Sequence, residues 1–364
     1  MSKCKLLTPG PLTTTMSVKN EMLSDRCTWD DEYKEITRKI RKQLLEIANV
    51  TKEEYTAILM QGSGTFGVEA VFTTAIGKHD TCLIITNGAY GDRMVEIVER
   101  AGISHIIYGV QYNQIPYSTD IECILRNNTG ITHIAMVHCE TTTGILNPLE
   151  PIAALAQKYG KIFIVDAMSS FGGIDIDVKG LSIDFLISSA NKCIQGVPGF
   201  CFVIAKLYRL LKCKKRSASL SLDLYDQWES MDTSGKWRYT SPTHAVAAFS
   251  KALDELVAEG GVQARNSRYE NNNKLLRDAL KTLGIHSYID EKWQSPIIST
   301  FLFPYEEFDF TDFYHYIKER GYILYPGKLT DVDTFRIGNI GEIDENDIHI
   351  LSKIMSCYMK RGVA

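Results

Sequence analysis

At 364 residues, with hydrophobic residues at 45% and charged residues at 23%, the chain can bury a substantial core without covalent staples. The 40 Lys and Arg against 44 Asp and Glu leave a formal net charge of -4, so bulk attraction to nucleic acid is not expected. Nine cysteines, scattered from Cys4 to Cys357, include no CxxC pair, which argues against a disulfide framework and against a metal site.

The opening MSKCKLLTPG has no apolar stretch after its lysines, so a signal peptide is not expected. No apolar run is long enough to span a bilayer, and the unpaired cysteines suit a reducing compartment. A soluble, cytoplasmic protein is therefore expected. TAILM (56–60) reads as a buried strand, followed by QGSGT and a helix through Val68, Ala70, Val71 and Ile76. CLIIT (82–86) repeats the plan, with NGAYGDR and a helix through Met94, Ile97 and Val98. HIIYGV (105–110) and HIAMVH (133–138) are further strands, and PLEPIAALAQKYG a helix. KIFIVDA (161–167), DFLISSA (184–190) and GFCFVIA (199–205) continue the series.

Runs this apolar, without alternation, suit strands covered on both faces, and intervening helices imply a mainly parallel sheet. Only the tight QGVPG loop precedes the last run, so an antiparallel strand is admissible there. After Thr243 the pattern changes to long helices over 244–283, a strand in SPIISTFLF (295–303), and a helix into a strand over 309–324. A strand in DTFRIGNIG (333–341) and a closing helix capped by Asp344 complete the chain. The expected architecture is α/β, with a large domain over 15–250. A smaller α+β domain is expected over 251–364, joined by residues 1–14.

Six features could carry chemistry. Lys192 follows DFLISSA among Ser188, Ser189, Ala190, Gly196 and Gly199; a surface lysine is the plainer reading, but a crowded pocket would favour the neutral, nucleophilic amine. Asp166 ends a very apolar strand, at the edge where parallel sheets bind ligands; it could also be a buried loop cap. Ser63, Gly64 and Thr65 lie between strand and helix, where free N–H groups suit a phosphate; the plainer reading is a turn capped by Thr65. Tyr90, between Gly88 and Gly91, could stack on a flat ring or simply pack at a helix start. Thr142 and Thr143 sit in the HCETTTG loop, and Arg336 in FRIGNIG could hold an acid or make a structural ion pair. The GSG turn is neither a Walker A loop nor a dinucleotide fingerprint, and no acidic ribose partner follows it.

In this order the features resemble the class V aminotransferases among the fold-type I pyridoxal-phosphate enzymes, over nearly the whole chain. The opening LTPGP is shared across that class. CTWDDEY (27–33) and RYTSPTH (238–244) resemble the branch that moves an amino group from 2-aminoethylphosphonate to pyruvate in phosphonate catabolism. Tyr90 stands where cysteine desulfurases stack a histidine, which argues against that branch. The resemblance implies that Lys192 anchors pyridoxal phosphate and shuttles the proton, with Asp166 at the ring nitrogen. It implies Ser63, Gly64 and Thr65 at the phosphate, Tyr90 on the ring face, and Thr142 or Thr143 at the ring. Arg336 would bind the substrate acid. Tyr239 and Thr240 would reach the phosphate in the neighbouring subunit of a homodimer; many members carry phenylalanine and proline where this chain has Tyr239 and Ser241. Two alternatives are an alanine– or serine–glyoxylate aminotransferase of the same class and a non-catalytic binding or regulatory subunit.

Overall fold

The computed structural model describes residues 4–329 and 331–363. Its centre is a seven-stranded sheet. The strands, in chain order, are β1 (Tyr55–Gln61), β2 (Thr81–Thr86), β3 (Ser104–Gly109), β4 (Ile131–Val137), β5 (Ile162–Asp166), β6 (Phe185–Ser189) and β7 (Phe200–Lys206). Their spatial order is β1-β7-β6-β5-β4-β2-β3. Neighbours from β6 to β3 run parallel, while β7 is antiparallel to both β6 and β1. The short QGVPG link explains the reversal, because a parallel return needs a crossover of a dozen or more residues.

Strands β1, β5, β6 and β7 are buried almost throughout, as their unalternating sequences require. Their two faces feed two cores. One joins Leu59, Phe163, Phe202 and Phe249; the other joins Ile58, Phe72, Ile84 and Val203. The sequence reading assigns no element to α1 (Asp31–Ile47), whose first turn is capped by Asp30 and whose Tyr33, Ile40 and Leu44 are buried. It also assigns none to the helix Ser118–Asn127, a crossover whose polar face dominates its composition.

Two long helices, α2 (Thr243–Glu259) and α3 (Gly261–Thr282), meet at Gly260 and Gly261, with φ of 108° and 79°. Two consecutive left-handed residues end the first helix, and glycine adopts that conformation without a Cβ clash. Beyond them, Ile298–Leu302, Thr334–Gly338 and Tyr325–Pro326 form an antiparallel sheet. The helix Glu345–Met359 begins with a capping box between Asp344 and Asp347. A third core gathers Leu7, Leu276, Phe301, Phe313, Phe335 and Leu351. Leu7 belongs there because Lys5–Leu6 pairs in parallel with Tyr322–Ile323.

Candidate active site

The C-terminal ends of the parallel strands open onto a cavity of about 200 Å³. Ser63, Gly64, Thr65, Tyr90, Asp166 and Lys192 all line it. They arrive from four strand ends, with Ser63, Gly64 and Thr65 after β1, Tyr90 after β2, Asp166 at the end of β5 and Lys192 after β6, the place where an open α/β sheet gathers ligand-binding groups.

Asp166 is the last residue of β5, in register with Val137 of β4 and Ile187 of β6. Its Oδ1 accepts the Met168 N–H at 2.8 Å. Burial is the main cause that raises its pKa to about 6, and the Met168 hydrogen bond acts the other way. Lys192 stands three residues beyond β6, with its Nζ donating to the Pro9 carbonyl at 2.8 Å. Burial pulls its pKa down to about 8, partly offset by Cys193 and Asp166. The amine is thus readily deprotonated for an unmodified lysine, and a carboxylate faces the same cavity.

The helix Gly64–Ala75 points its N-terminus at the cavity. Its cap is Ser63, which makes no side-chain cap bond; Thr65 lies inside the first turn and is not the cap. A Cβ on Gly64 would lie 2.2 Å from Met168 Sδ, so the backbone approaches the site where no side chain fits without movement. The Ser189 hydroxyl is buried without a partner. A bare helix terminus, an unpartnered hydroxyl, a buried carboxylate and an amine of lowered pKa fit an aldehyde cofactor that carries a phosphate and a ring nitrogen.

Tyr90 lies in the first turn of Ala89–Arg100. Behind it is a residue not singled out in the sequence, Glu140, which is fully buried. Its carboxylate accepts from the N–H groups of Tyr90 (3.1 Å), Gly91 (3.3 Å) and Thr142 (3.0 Å), and from Thr142 Oγ1 (2.6 Å). Burial raises its pKa, and these donors oppose the shift. Thr142 also accepts from the Ala89 N–H at 3.1 Å, so it faces Glu140 and the helix start. Thr142 and Thr143 are both buried but outside the cavity lining, and Thr143 Oγ1 has no partner.

Arg336 is nearly buried, with Nη1 donating to Thr141 O at 2.9 Å and Nε to Pro326 O at 3.0 Å. Burial holds its guanidinium below its ordinary pKa. Arg93 also escaped the sequence reading. It lines the cavity and donates to Thr65 Oγ1 at 3.2 Å. Tyr239 and Thr240 are exposed and lie away from this cavity in the single chain; Tyr239 borders a separate surface recess with Gly62 and Phe66. Among the described residues no cluster of His, Cys, Asp and Glu could hold a metal.

The family profile described as Aminotransferase class-V matches residues 16–331. The chain belongs to the class V aminotransferase family. The 2-aminoethylphosphonate–pyruvate transaminase of Lysinibacillus sphaericus (strain C3-41) is 60% identical over 99% of this chain and 98% of its own. The protein of the same name from Bacillus cereus (strain Q1) is 56% identical over 95% of each. Among solved structures, the ureidoglycine–glyoxylate aminotransferase of Bacillus subtilis superposes with a TM-score of 0.90 at 21% identity, covering 100% of this chain and 95% of that one. The alanine–glyoxylate aminotransferase of Nostoc sp. gives 0.89 at 21%, covering 98% and 96%. This class V aminotransferase therefore has the fold expected of a fold-type I enzyme.

Proposed function

We propose that this protein is a pyridoxal-phosphate-dependent aminotransferase that moves the amino group of 2-aminoethylphosphonate to pyruvate, giving phosphonoacetaldehyde and L-alanine. The observation that carries the chemistry is the convergence of Lys192, Asp166 and the Ser63–Thr65 helix start on one cavity. The donor is supported by the near-full-length identity to transaminases of that name.

Pyridoxal phosphate, when bound, supplies a carbonyl for the amino group and a protonated ring that takes up the electron pair left by the departing proton. Lys192 would hold the cofactor, and its freed Nζ would move the proton between substrate and cofactor carbons. Asp166 would face the ring nitrogen, where a cationic partner offsets the burial that raises its pKa. Ser63, Gly64 and Thr65 would hold the phosphate, Tyr90 would cover a ring face, and Thr142 or Thr143 would contact the ring. Arg336 would pair with the phosphonate of the donor and then with the carboxylate of pyruvate.

Tyr239 and Thr240, exposed in the single chain, are assigned to the phosphate of the partner subunit's cofactor, which makes the working unit a homodimer. Residues 15–250 are assigned to the cofactor-binding domain, and 251–364 with 1–14 to the smaller one. Among the described residues no helix is long and apolar enough to cross a membrane. The nine cysteines are all unpaired, which supports placing the protein in the cytoplasm.

The test is a donor–acceptor matrix on purified, cofactor-loaded protein, reading L-alanine and aldehyde. Phosphonoacetaldehyde formed only when both 2-aminoethylphosphonate and pyruvate are present in catalytic turnover is the expected result. No aldehyde from this donor, with turnover of L-alanine or serine against glyoxylate, would replace the reading by the sister activity.

A further inference from the structure

Arg336 lies outside the cavity lining, and two further cations flank Tyr90, of which Arg93 lines the cavity. Arg93 Cζ lies 4.9 Å from the centroid of the Tyr90 ring, and Lys328 Nζ lies 4.5 Å from the same centroid. The two cations arrive from distant parts of the chain, one on the helix Ala89–Arg100 and the other between Pro326 and the strand that carries Arg336. Arg336 shares this neighbourhood: burial first, then Arg93 and also Arg336, hold Lys328 below its ordinary pKa. Arg93 donates to the Thr65 hydroxyl, and Arg336 to the Thr141 and Pro326 carbonyl oxygens. Among the described residues none of the three forms an ion pair. The Glu140 carboxylate, whose charge reaches Lys328 and Arg336, is already engaged by three backbone N–H groups and a hydroxyl.

Three neighbouring cations repel one another; the Glu140 charge offsets part of that repulsion at Lys328 and Arg336, and an entering anion would offset more. A single carboxylate brings one negative charge. A phosphonate brings up to two, together with three acceptor oxygens arranged around phosphorus. Arg336 alone matches the monoanion. The surplus of positive charge matches the dianion.

We propose that Lys328 and Arg93, together with Arg336, form the phosphonate subsite, and that these two added cations make the protein prefer a doubly charged donor over a singly charged one. Lys328 is the sharper discriminator. It is exposed and makes no hydrogen bond within the described chain, so its charge is available to an entering ligand. Arg93 is tethered to Thr65 and contributes from the inner side. The inference rests on the aminophosphonate reading above, and its test separates the two.

The experiment compares two half-reactions on the same cofactor-loaded protein: 2-aminoethylphosphonate, and L-alanine as the monoanionic donor of the reverse direction. Each is followed by the change in cofactor absorbance in a single turnover. Lys328→Met and Arg93→Gln are measured beside the unsubstituted protein. The expected result is a loss in apparent second-order rate constant about tenfold or more larger for 2-aminoethylphosphonate than for L-alanine, in keeping with removal of one charge-assisted contact. Lys328→Arg, which keeps the charge, restores most of the phosphonate rate. Equal losses for the two donors would overturn the subsite while leaving the aminophosphonate reading intact. An unsubstituted protein that responds to L-alanine but not to 2-aminoethylphosphonate would overturn both.

Discussion

The Nζ of Lys192 donates to the carbonyl oxygen of Pro9 at 2.8 Å, across 183 positions of chain. The opening LTPGP segment is therefore laid directly against the lysine. Gly10 shows how close that segment stands. A Cβ there would meet Lys192 Cδ at 2.7 Å and Asn191 O at 2.9 Å, and its φ of +119° already disfavours a side chain.

Gly10→Ala is accordingly expected to do two things. It strains the backbone and displaces Lys192, with a stability loss of about 1–3 kcal/mol. A thermal melt reads the loss, and slower cofactor capture reads the displaced amine. A melting temperature and a capture rate both equal to those of the unsubstituted protein would show that the contact is dispensable.

Lys192→Ala removes the anchor and the proton carrier together. The visible absorbance of the lysine-bound cofactor should vanish, and turnover should fall by about 10²–10⁴-fold or more. Retention of the band would mean that another amine carries the cofactor.

Capture of added pyridoxal phosphate by cofactor-stripped protein should depend on pH through Lys192. Burial lowers its pKa to about 8, so the neutral, reactive amine gains population as pH rises through that value. The capture rate should climb and level off above about 8. A rate still climbing toward the ordinary lysine value would show that burial does not act on this amine.

Asp166→Asn keeps the shape of the side chain but removes the anion placed to meet a ring nitrogen. Single-turnover rates with either donor should drop by about a hundredfold or more, with cofactor still bound. An unchanged rate would remove Asp166 from the chemistry and leave it as the partner of the Met168 N–H.

Gly88→Ala tests the support behind Tyr90. The added methyl would lie 2.3 Å from Glu140 Cγ, and that carboxylate is held by several donors. The expected cost is about 1–3 kcal/mol, seen as a lower melting temperature. No shift would show that Glu140 can leave the helix start freely.

The legible parts of this protein are those where local sequence and final position coincide. Strand ends, glycine turns and small residues marked Ser63, Gly64, Thr65, Tyr90, Asp166 and Lys192, and all of them face one cavity. The apolar runs marked the buried strands for the same reason. Glu140 stood inside a run already being read for its threonines, and nothing local signals that its carboxylate turns back onto the helix start at Tyr90. Arg93 and Lys328 are ordinary surface residues by sequence, and only the tertiary fold brings both to the same ring. The helix Asp31–Ile47 carried a cap and an amphipathic face, yet its strongly charged exterior hid the stripe of Tyr33, Ile40 and Leu44. Pro9 was legible as part of a family motif but not as the acceptor of Lys192, because a carbonyl contact leaves no trace in residue type.

The pairing of Lys5–Leu6 with Tyr322–Ile323 bears on how the protein is made. The segment that packs on Lys192 and the strand that tethers it stand far apart in the sequence, Lys5 against Tyr322. Closing so long a loop is entropically costly, and non-local pairings of this kind slow the final stages of folding. Cofactor capture should accordingly lag behind formation of the central sheet during refolding. The rate at which the bound-cofactor signal appears would then serve as a clock for the meeting of these two segments.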